Sequence, residues 1–64
     1  MGIRIGDIIW SRSAAVEGIV LGFKNAEYNE HHHYVIVFCT YSKYTPNTVG
    51  RQLELNQNIV SKKR

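Results

Sequence analysis

The stretch that decides the fold is YVIVFC, at residues 34–39. Two other apolar runs precede it along the chain, IIW at residues 8–10 and GIVLGF at residues 18–23. All three are rich in β-branched and aromatic residues and are bounded by turn-forming residues, a pattern typical of short strands. Since no segment shows a sustained helical period, the sequence predicts a small all-β domain with at most one short helical turn, near Asn56.

These runs and the turn residues between them predict five short antiparallel strands. We expect the first four at residues 6–11, 18–24, 34–41 and 51–55, and the last at Ile59 and Val60. The expected connections are a polar loop at 12–15, a long hairpin loop at 25–33, a loop at 42–50 around Pro46, and a tight turn at 56–58. One small barrel domain is therefore predicted over residues 1–61, followed by a basic tail at 62–64.

The length and the cysteine content limit how this domain is stabilised. The chain has 64 residues and one cysteine, Cys39, so the core is small and no internal disulfide can form. Oligomerisation or docking on a partner would compensate for that marginal stability. No basic stretch precedes an apolar run of signal-peptide type, and no run approaches the ~20 residues that span a bilayer. We therefore expect a cytoplasmic protein that does not enter a membrane.

The apolar runs also carry a family resemblance. GDIIWS at residues 6–11, EGIVLGF at 17–23 and VIVF at 35–38 together resemble the opening of SH3-like small barrels of the KOW, Tudor and PWWP kind. In those families a Gly-Asp turn begins the first strand, a Gly-x-Val step begins the second, and a Val-x-Phe strand follows. The resemblance implies a five-stranded SH3-like barrel. It does not select a function, because such barrels bind RNA, DNA, methylated peptides and proteins.

Strand alternation predicts which side chains lie outside this barrel. Successive side chains project to opposite faces, so a domain this small cannot bury both faces of three apolar runs. The expected inward set is Ile9, Ser11, Val20 and Phe23, and the outward set is Ile8, Trp10, Ile19 and Leu21, unless the opposite parity exchanges them. Either parity exposes an apolar patch, and such patches mark protein interfaces. Loops folded over the barrel would cover it, but the long loops are polar.

Trp10 decides how this patch is interpreted. It is either a core residue or, if it faces outward, an anchor for a partner, because Trp, Tyr and Arg dominate binding hot spots. The predicted partner-binding residues are Ile8, Trp10, Arg12, Leu21, Tyr41, Lys43, Tyr44 and Arg51. The sequence thus predicts a non-enzymatic module that docks on a protein partner or complex, or on another copy of itself. Its size suits a small accessory or inhibitor protein of phage type.

Nucleic-acid binding is the alternative function. The net charge of +3 is carried by Lys62, Lys63 and Arg64, because five other basic residues are matched by five acidic ones. A KOW-like RNA- or DNA-binding module would place Lys43, Arg51 and this basic tail on phosphates, with the tyrosines of YSKY at 41–44 stacking on bases. The near-neutral body favours a protein partner instead. A terminal charge run is also more often a solvated end.

Three consecutive histidines and one cysteine are the candidate metal ligands and catalytic groups. His31 and His33 lie two residues apart and would project to the same side of an extended segment, with Glu30 or Cys39 as further ligands, but nothing supplies the second ligand pair of a structural site. The three consecutive histidines, His31 to His33, therefore suit solvent or a partner. Cys39 lies within the most apolar strand and is expected to be a buried core thiol rather than a nucleophile with His33 as its base. We predict no metal, no cofactor and no catalytic residue.

An aromatic cage for methyl-lysine is the last candidate. Tudor-like and PWWP-like barrels hold a methylated lysine between rings by cation–π attraction, and Trp10, Tyr34 and Phe38 would supply rings here. The lone Trp10 does not reproduce the longer aromatic and proline-rich signature of a PWWP domain. The cage is therefore a weaker hypothesis than protein docking.

Overall fold

The computed structural model describes residues 2–25 and 33–63. This part of the chain contains five strands and two 3₁₀ turns. The strands are β1 (Ile8–Ser11), β2 (Val16–Asn25), β3 (His33–Ser42), β4 (Gln52–Asn56) and β5 (Val60–Lys62), and the 3₁₀ turns are Pro46–Thr48 and Gln57–Ile59. The all-β class and the five strands are confirmed. The limit of one helical turn is wrong, because a 3₁₀ turn also begins at Pro46, whose fixed φ suits the first helical position.

The strands form one antiparallel sheet in the order β4-β3-β2-β1-β5. The first four follow one another as neighbours, and β5 returns to the other side of β1, where Ser61 lies opposite Trp10. The second 3₁₀ turn makes this return possible, with the Asn56 side chain accepting a hydrogen bond from the Asn58 N–H at 2.9 Å. Within the described residues β4 and β5 are the two edges of the sheet. Closure into a barrel therefore stays a prediction.

The core lies on one face of the sheet and is built from small aliphatic side chains. Its centre is the fully buried cluster of Ile9, Val20, Val35 and Val37. Partly buried aliphatic residues pack against this cluster: Ile3, Leu53, Leu55 and Val60. The inward prediction is confirmed for Ile9, Ser11 and Val20, each at most 1% exposed.

Two irregularities in the pairing of β2 with β3 decide where the remaining side chains point. Register shifts fall between Glu17 and Gly18 and between Val20 and Gly22. Because Leu21 is left unpaired by the second shift, pairing brings Phe23 opposite Val35, on the core side of the sheet. Phe23 is nevertheless 46% exposed. Phe23 thus lies on the inward side, as predicted, but is not buried, because β1 pairs with β2 only as far as Ile19 and no described strand flanks Phe23 there.

The start of the expected basic tail belongs to the sheet. Lys62 is the last residue of β5 and pairs with Ile9. The backbone N–H of Lys63 donates to the carbonyl oxygen of Ile8 at 2.8 Å. β5 therefore includes Lys62, and Lys63 is hydrogen-bonded to β1, so these two lysines do not form a solvated tail. Arg64 lies outside the described residues.

Candidate functional site

An apolar row crosses three strands on the side of the sheet opposite the core. Ile8 of β1 lies opposite Ile19 of β2, which lies opposite Phe38 of β3. Directly paired residues project from the same face of a sheet, so Ile8, Ile19 and Phe38 share one face. Each of them is next to a buried residue in its own strand, and because side chains alternate along a strand, this shared face is the one opposite the core. Ile8 is 48% exposed and Phe38 is 40% exposed. The row is therefore an apolar stripe accessible to a partner.

Further large side chains extend this row on both sides. Trp10 follows on β1 and pairs with Glu17, which pairs in turn with Tyr41. Leu21, the unpaired residue that follows buried Val20, is 42% exposed. We call this surface the outer face; it consists of Ile8, Trp10, Ile19, Leu21, Ile36, Phe38 and Tyr41. It combines aliphatic and aromatic side chains, as the buried centres of protein interfaces do.

The described aromatic residues all lie outside the core. Four are exposed (Phe23, Phe38, Tyr41 and Tyr44), and two are half-buried (Trp10 and Tyr34). Aromatic side chains bury more apolar area than any others and usually dominate the energetics of a core. In this domain aliphatic residues fill the core instead, so the aromatic area is available for contacts with another molecule.

Trp10 borders a surface cleft between β1 and the end of the chain. The cleft has a volume of about 370 Å³ and is lined by Trp10, Ser61, Lys62 and Lys63. Trp10 is half-buried, and its strand neighbours Ile9 and Ser11 are the residues that point into the core. Alternation along β1 therefore directs the Trp10 side chain away from the core, and its role as an anchor for a partner stays a prediction. The cleft is large enough to accept an apolar side chain of a partner beside the indole.

The lysines at the end of the chain are held in ion pairs. The ammonium group of Lys62 lies 3.6 Å from a carboxylate oxygen of Asp7, and that of Lys63 contacts the carboxylate of Glu17. The first pair joins β5 to the residue before β1, and the second joins the residue after β5 to β2, across β1. These two lysines, named above for phosphate binding, are therefore partly neutralised by protein carboxylates.

Three other cations lie together at one end of the sheet. Arg12 is in the turn between β1 and β2, and the N–H of Lys43 donates to Ala15 of that turn at 3.0 Å. Arg51 immediately precedes β4, and its carbonyl oxygen accepts from the N–H of Cys39 at 2.9 Å. All three side chains are exposed, and no ion pair joins them to another residue of 2–25 or 33–63. We call Arg12, Lys43 and Arg51 the cationic end.

The predicted partner-binding residues thus fall into two adjoining groups. Ile8, Trp10, Leu21 and Tyr41 come together on the outer face. Arg12, Lys43 and Arg51 form the cationic end, together with Tyr44, whose ring centroid lies 5.4 Å from the Lys43 ammonium nitrogen. Ile36 and Phe38 were missing from the predicted set. Strand alternation in YVIVFC identifies them, because Val35, Val37 and Cys39 are the buried residues of that strand.

The structure does not bring the suggested metal ligands together. Cys39 is fully buried, and its thiol donates to the carbonyl oxygen of Tyr41 with a distance of 3.4 Å from sulfur to oxygen. His33, the first residue of β3, is six residues away along an extended strand, about 20 Å. Glu30, His31 and His32 lie outside the described residues. Within residues 2–25 and 33–63 there is no group of three His, Cys, Asp or Glu side chains arranged to hold a metal ion.

The rings considered for an aromatic cage are also separated. Tyr34 pairs with Lys24 and Asn56 near the other end of β3, four residues or about 13 Å from Phe38. Trp10 is on β1, and β2 lies between it and β3, which carries Tyr34 and Phe38. A cage built from Trp10, Tyr34 and Phe38 therefore does not form in this arrangement.

Comparison of the chain with models of protein families, with curated proteins and with solved structures found no match. Within the described part of the chain, no helix has the length and apolar character needed to cross a membrane. The function therefore has to be argued from the outer face and the cationic end.

Proposed function

We propose that this protein is a non-enzymatic binding module that docks on a protein partner through its outer face. The observation that carries the proposal is the row Ile8–Ile19–Phe38, which crosses three strands on the face opposite the aliphatic core and leaves Ile8 and Phe38 exposed. Exposed apolar surface of this extent is costly in water unless another molecule covers it. The row and its aromatic neighbours are therefore the part of the surface that gains most from a partner.

The composition of the outer face supports a protein as that partner. Protein interfaces have apolar and aromatic centres with few charges, surrounded by a polar rim. Two carboxylates adjoin the outer face, Glu17 opposite Trp10 and Glu54 opposite Ile36, and each is already paired with a lysine, Lys63 and Lys24 respectively. A standard interface buries about 800 Å² per partner. The whole chain has a surface of 4755 Å², so an interface of this size would cover only a modest share of it.

An SH3-like barrel is part of the same proposal. Its support is the antiparallel strand order and the return of β5 to β1 after the second 3₁₀ turn. Barrels of this kind present strand faces and loops to varied ligands. The fold therefore accommodates a docking role without selecting the partner.

Affinity capture from a lysate of the source organism, with nuclease present, tests the docking role. We compare the wild-type protein with Phe38→Ser and with Ile59→Ser, a matched control whose side chain is 37% exposed but lies outside the outer face. A docking face predicts that the same protein is retained by the wild type and by Ile59→Ser, and lost on Phe38→Ser. Circular dichroism checks that each variant is folded. Equal retention by all three would contradict the proposal.

Nucleic-acid binding is the second candidate function. It is favoured by the exposed cations Lys43 and Arg51 and by the Tyr44 ring, whose centroid lies 5.4 Å from the Lys43 ammonium nitrogen. The ion pairs of Lys62 and Lys63 reduce the charge available to phosphates. Titration of a labelled 20-mer of deoxythymidine at several salt concentrations tests it. Tight binding at physiological salt, with a steep salt dependence that Lys43→Gln and Arg51→Gln reduce, would establish this function instead of protein docking.

A further inference from the structure

We propose that the partner segment that docks on the outer face carries carboxylates beside its apolar side chains, and that these carboxylates bind the cationic end. This inference rests on the proposed function and adds the chemistry of the partner. The apolar side chains of the segment would cover the row Ile8–Ile19–Phe38. Its Asp or Glu residues would lie at Arg12, Lys43 and Arg51.

The first step of the argument is the balance of unpaired charge. Every described carboxylate already has a lysine partner: Asp7 with Lys62, Glu17 with Lys63, and Glu54 with Lys24. The three cations of the cationic end have no ion pair within residues 2–25 and 33–63. Arg4 also lacks one there, but it precedes β1 and so lies away from the cationic end. The described surface therefore presents unpaired positive charge next to the outer face, and complementarity calls for an anionic partner.

The second step is the position of each cation relative to an aromatic residue of the outer face. Arg12 is two residues after Trp10, and Lys43 is two residues after Tyr41. Two residues of extended chain span about 7 Å. Arg51 precedes Gln52, which lies opposite Phe38. A segment that covers these rings therefore passes within reach of the cations.

The third step is the choice between a protein and a nucleic acid as the anionic partner. The middle of the outer face is aliphatic, with Ile8 and Ile19 paired across two strands. A phosphate backbone offers nothing to cover such side chains, whereas an acidic peptide with apolar residues covers them and pairs with the cations. Protein interfaces combine an apolar centre with a polar rim in this way. The outer face and the cationic end together fit a protein segment better than a nucleic acid.

Selection from a display library of random 12-residue peptides tests the inference. The library is applied to three intact proteins: the wild type, the triple variant Arg12→Gln/Lys43→Gln/Arg51→Gln, and Phe38→Ser. We expect peptides selected on the wild type to be enriched in both Asp or Glu and apolar residues. The triple variant should select apolar peptides without acidic enrichment, and it should bind the wild-type peptides about tenfold more weakly, as the loss of a few exposed ion pairs predicts. Phe38→Ser should lose both enrichments.

The other outcomes separate failure of the inference from failure of the proposed function. Selected peptides that are apolar but not acidic, and that depend on Phe38, would overturn the inference and leave outer-face docking intact. Selected peptides that bind Phe38→Ser as well as the wild type would overturn both. The absence of any enriched peptide would count against the inference. Self-association in sedimentation that Phe38→Ser abolishes and the triple variant does not would identify a second copy as the partner and overturn it.

Discussion

The two faces of one sheet use hydrophobic residues for different purposes. On the inner face, small aliphatic side chains such as Val35 and Val37 are fully buried. On the outer face, larger side chains are left partly in water, among them Phe38 at 40% exposure. Ile8 and Ile9 show the contrast within one strand, at 48% and 0% exposure. Hydrophobicity alone therefore does not identify the core; the pleat of the strand decides which isoleucine is buried.

This division has a consequence for stability. A core of valine and isoleucine buries less apolar area than one that contains aromatic rings, and small domains have little stability in reserve. A partner that binds only the folded chain adds stability by mass action. We therefore expect the domain to be more stable with its partner bound than alone.

The largest difference between the two faces is expected when the same substitution, isoleucine to alanine, is made at the adjacent residues Ile8 and Ile9. Ile9→Ala should lower the free energy of unfolding by about 2–5 kcal/mol, because it leaves a cavity in the buried cluster. Ile8→Ala should change it by about 0.5 kcal/mol or less, as exposed substitutions usually do. Urea denaturation followed by circular dichroism measures both. Equal losses would show that the two faces do not differ in their contribution to folding.

Trp10 tests the outer face as an interface. Trp10→Ala should weaken binding of the captured partner by about 2 kcal/mol or more, the effect of an interface hot spot. Ile59→Ala is the control, since Ile59 is 37% exposed and lies outside both the outer face and the cationic end. Calorimetric titration gives the affinities, and thermal unfolding shows whether each variant is folded. Unfolding of Trp10→Ala with no separable loss of binding would place Trp10 in the folding core instead.

Gly18 tests how closely the backbone of β2 approaches that of β3 beside Phe38. A Cβ at this position would lie 2.6 Å from the carbonyl oxygen of Phe38 and 3.3 Å from Cβ of Val37. Gly18→Ala should therefore destabilise the domain by about 1–3 kcal/mol, as overpacking does. Gly22→Ala is the matched control, because a Cβ there meets nothing within 4 Å. Denaturant midpoints compare the two, and a Gly18→Ala variant as stable as the control would refute the close approach.

The smallest effect concerns the ion pair between Lys63 and Glu17. Both side chains are partly exposed, at 47% and 24%, so Lys63→Gln should lower stability by less than about 1 kcal/mol. Because the pair is electrostatic, the difference from the wild type should shrink in 1 M salt. Thermal unfolding at low and high salt measures it. A larger, salt-independent loss would mean that Lys63 acts mainly by packing beside Trp10.

Much of the fold and part of the outer face follow from the sequence because strand signals are local. The apolar runs identify the strands, and alternation along them identifies Ile9 and Val20 as buried. The same alternation applied to YVIVFC would have added Ile36 and Phe38 to the outer face. The signal for these two residues is therefore present in the sequence.

Other features depend on contacts that no local pattern shows. The register shift after Val20 leaves Leu21 unpaired, and nothing in the run GIVLGF distinguishes the residue that is left unpaired. Phe23 is exposed because β1 ends its pairing too early to flank it. Lys62 is a strand residue and Lys63 pairs with Glu17, which lies far away in sequence. Pairing between distant segments determines all three.

The most direct test of the central claim labels the protein with 4-fluorophenylalanine and records ¹⁹F spectra with and without the captured partner. The chain has two phenylalanines, of similar exposure but on opposite faces: Phe38 on the outer face at 40% and Phe23 on the core side at 46%. Phe23→Leu and Phe38→Leu assign the two resonances. The account predicts that the partner shifts or broadens the Phe38 resonance and leaves the Phe23 resonance unchanged. An unchanged Phe38 resonance in the presence of bound partner would contradict it.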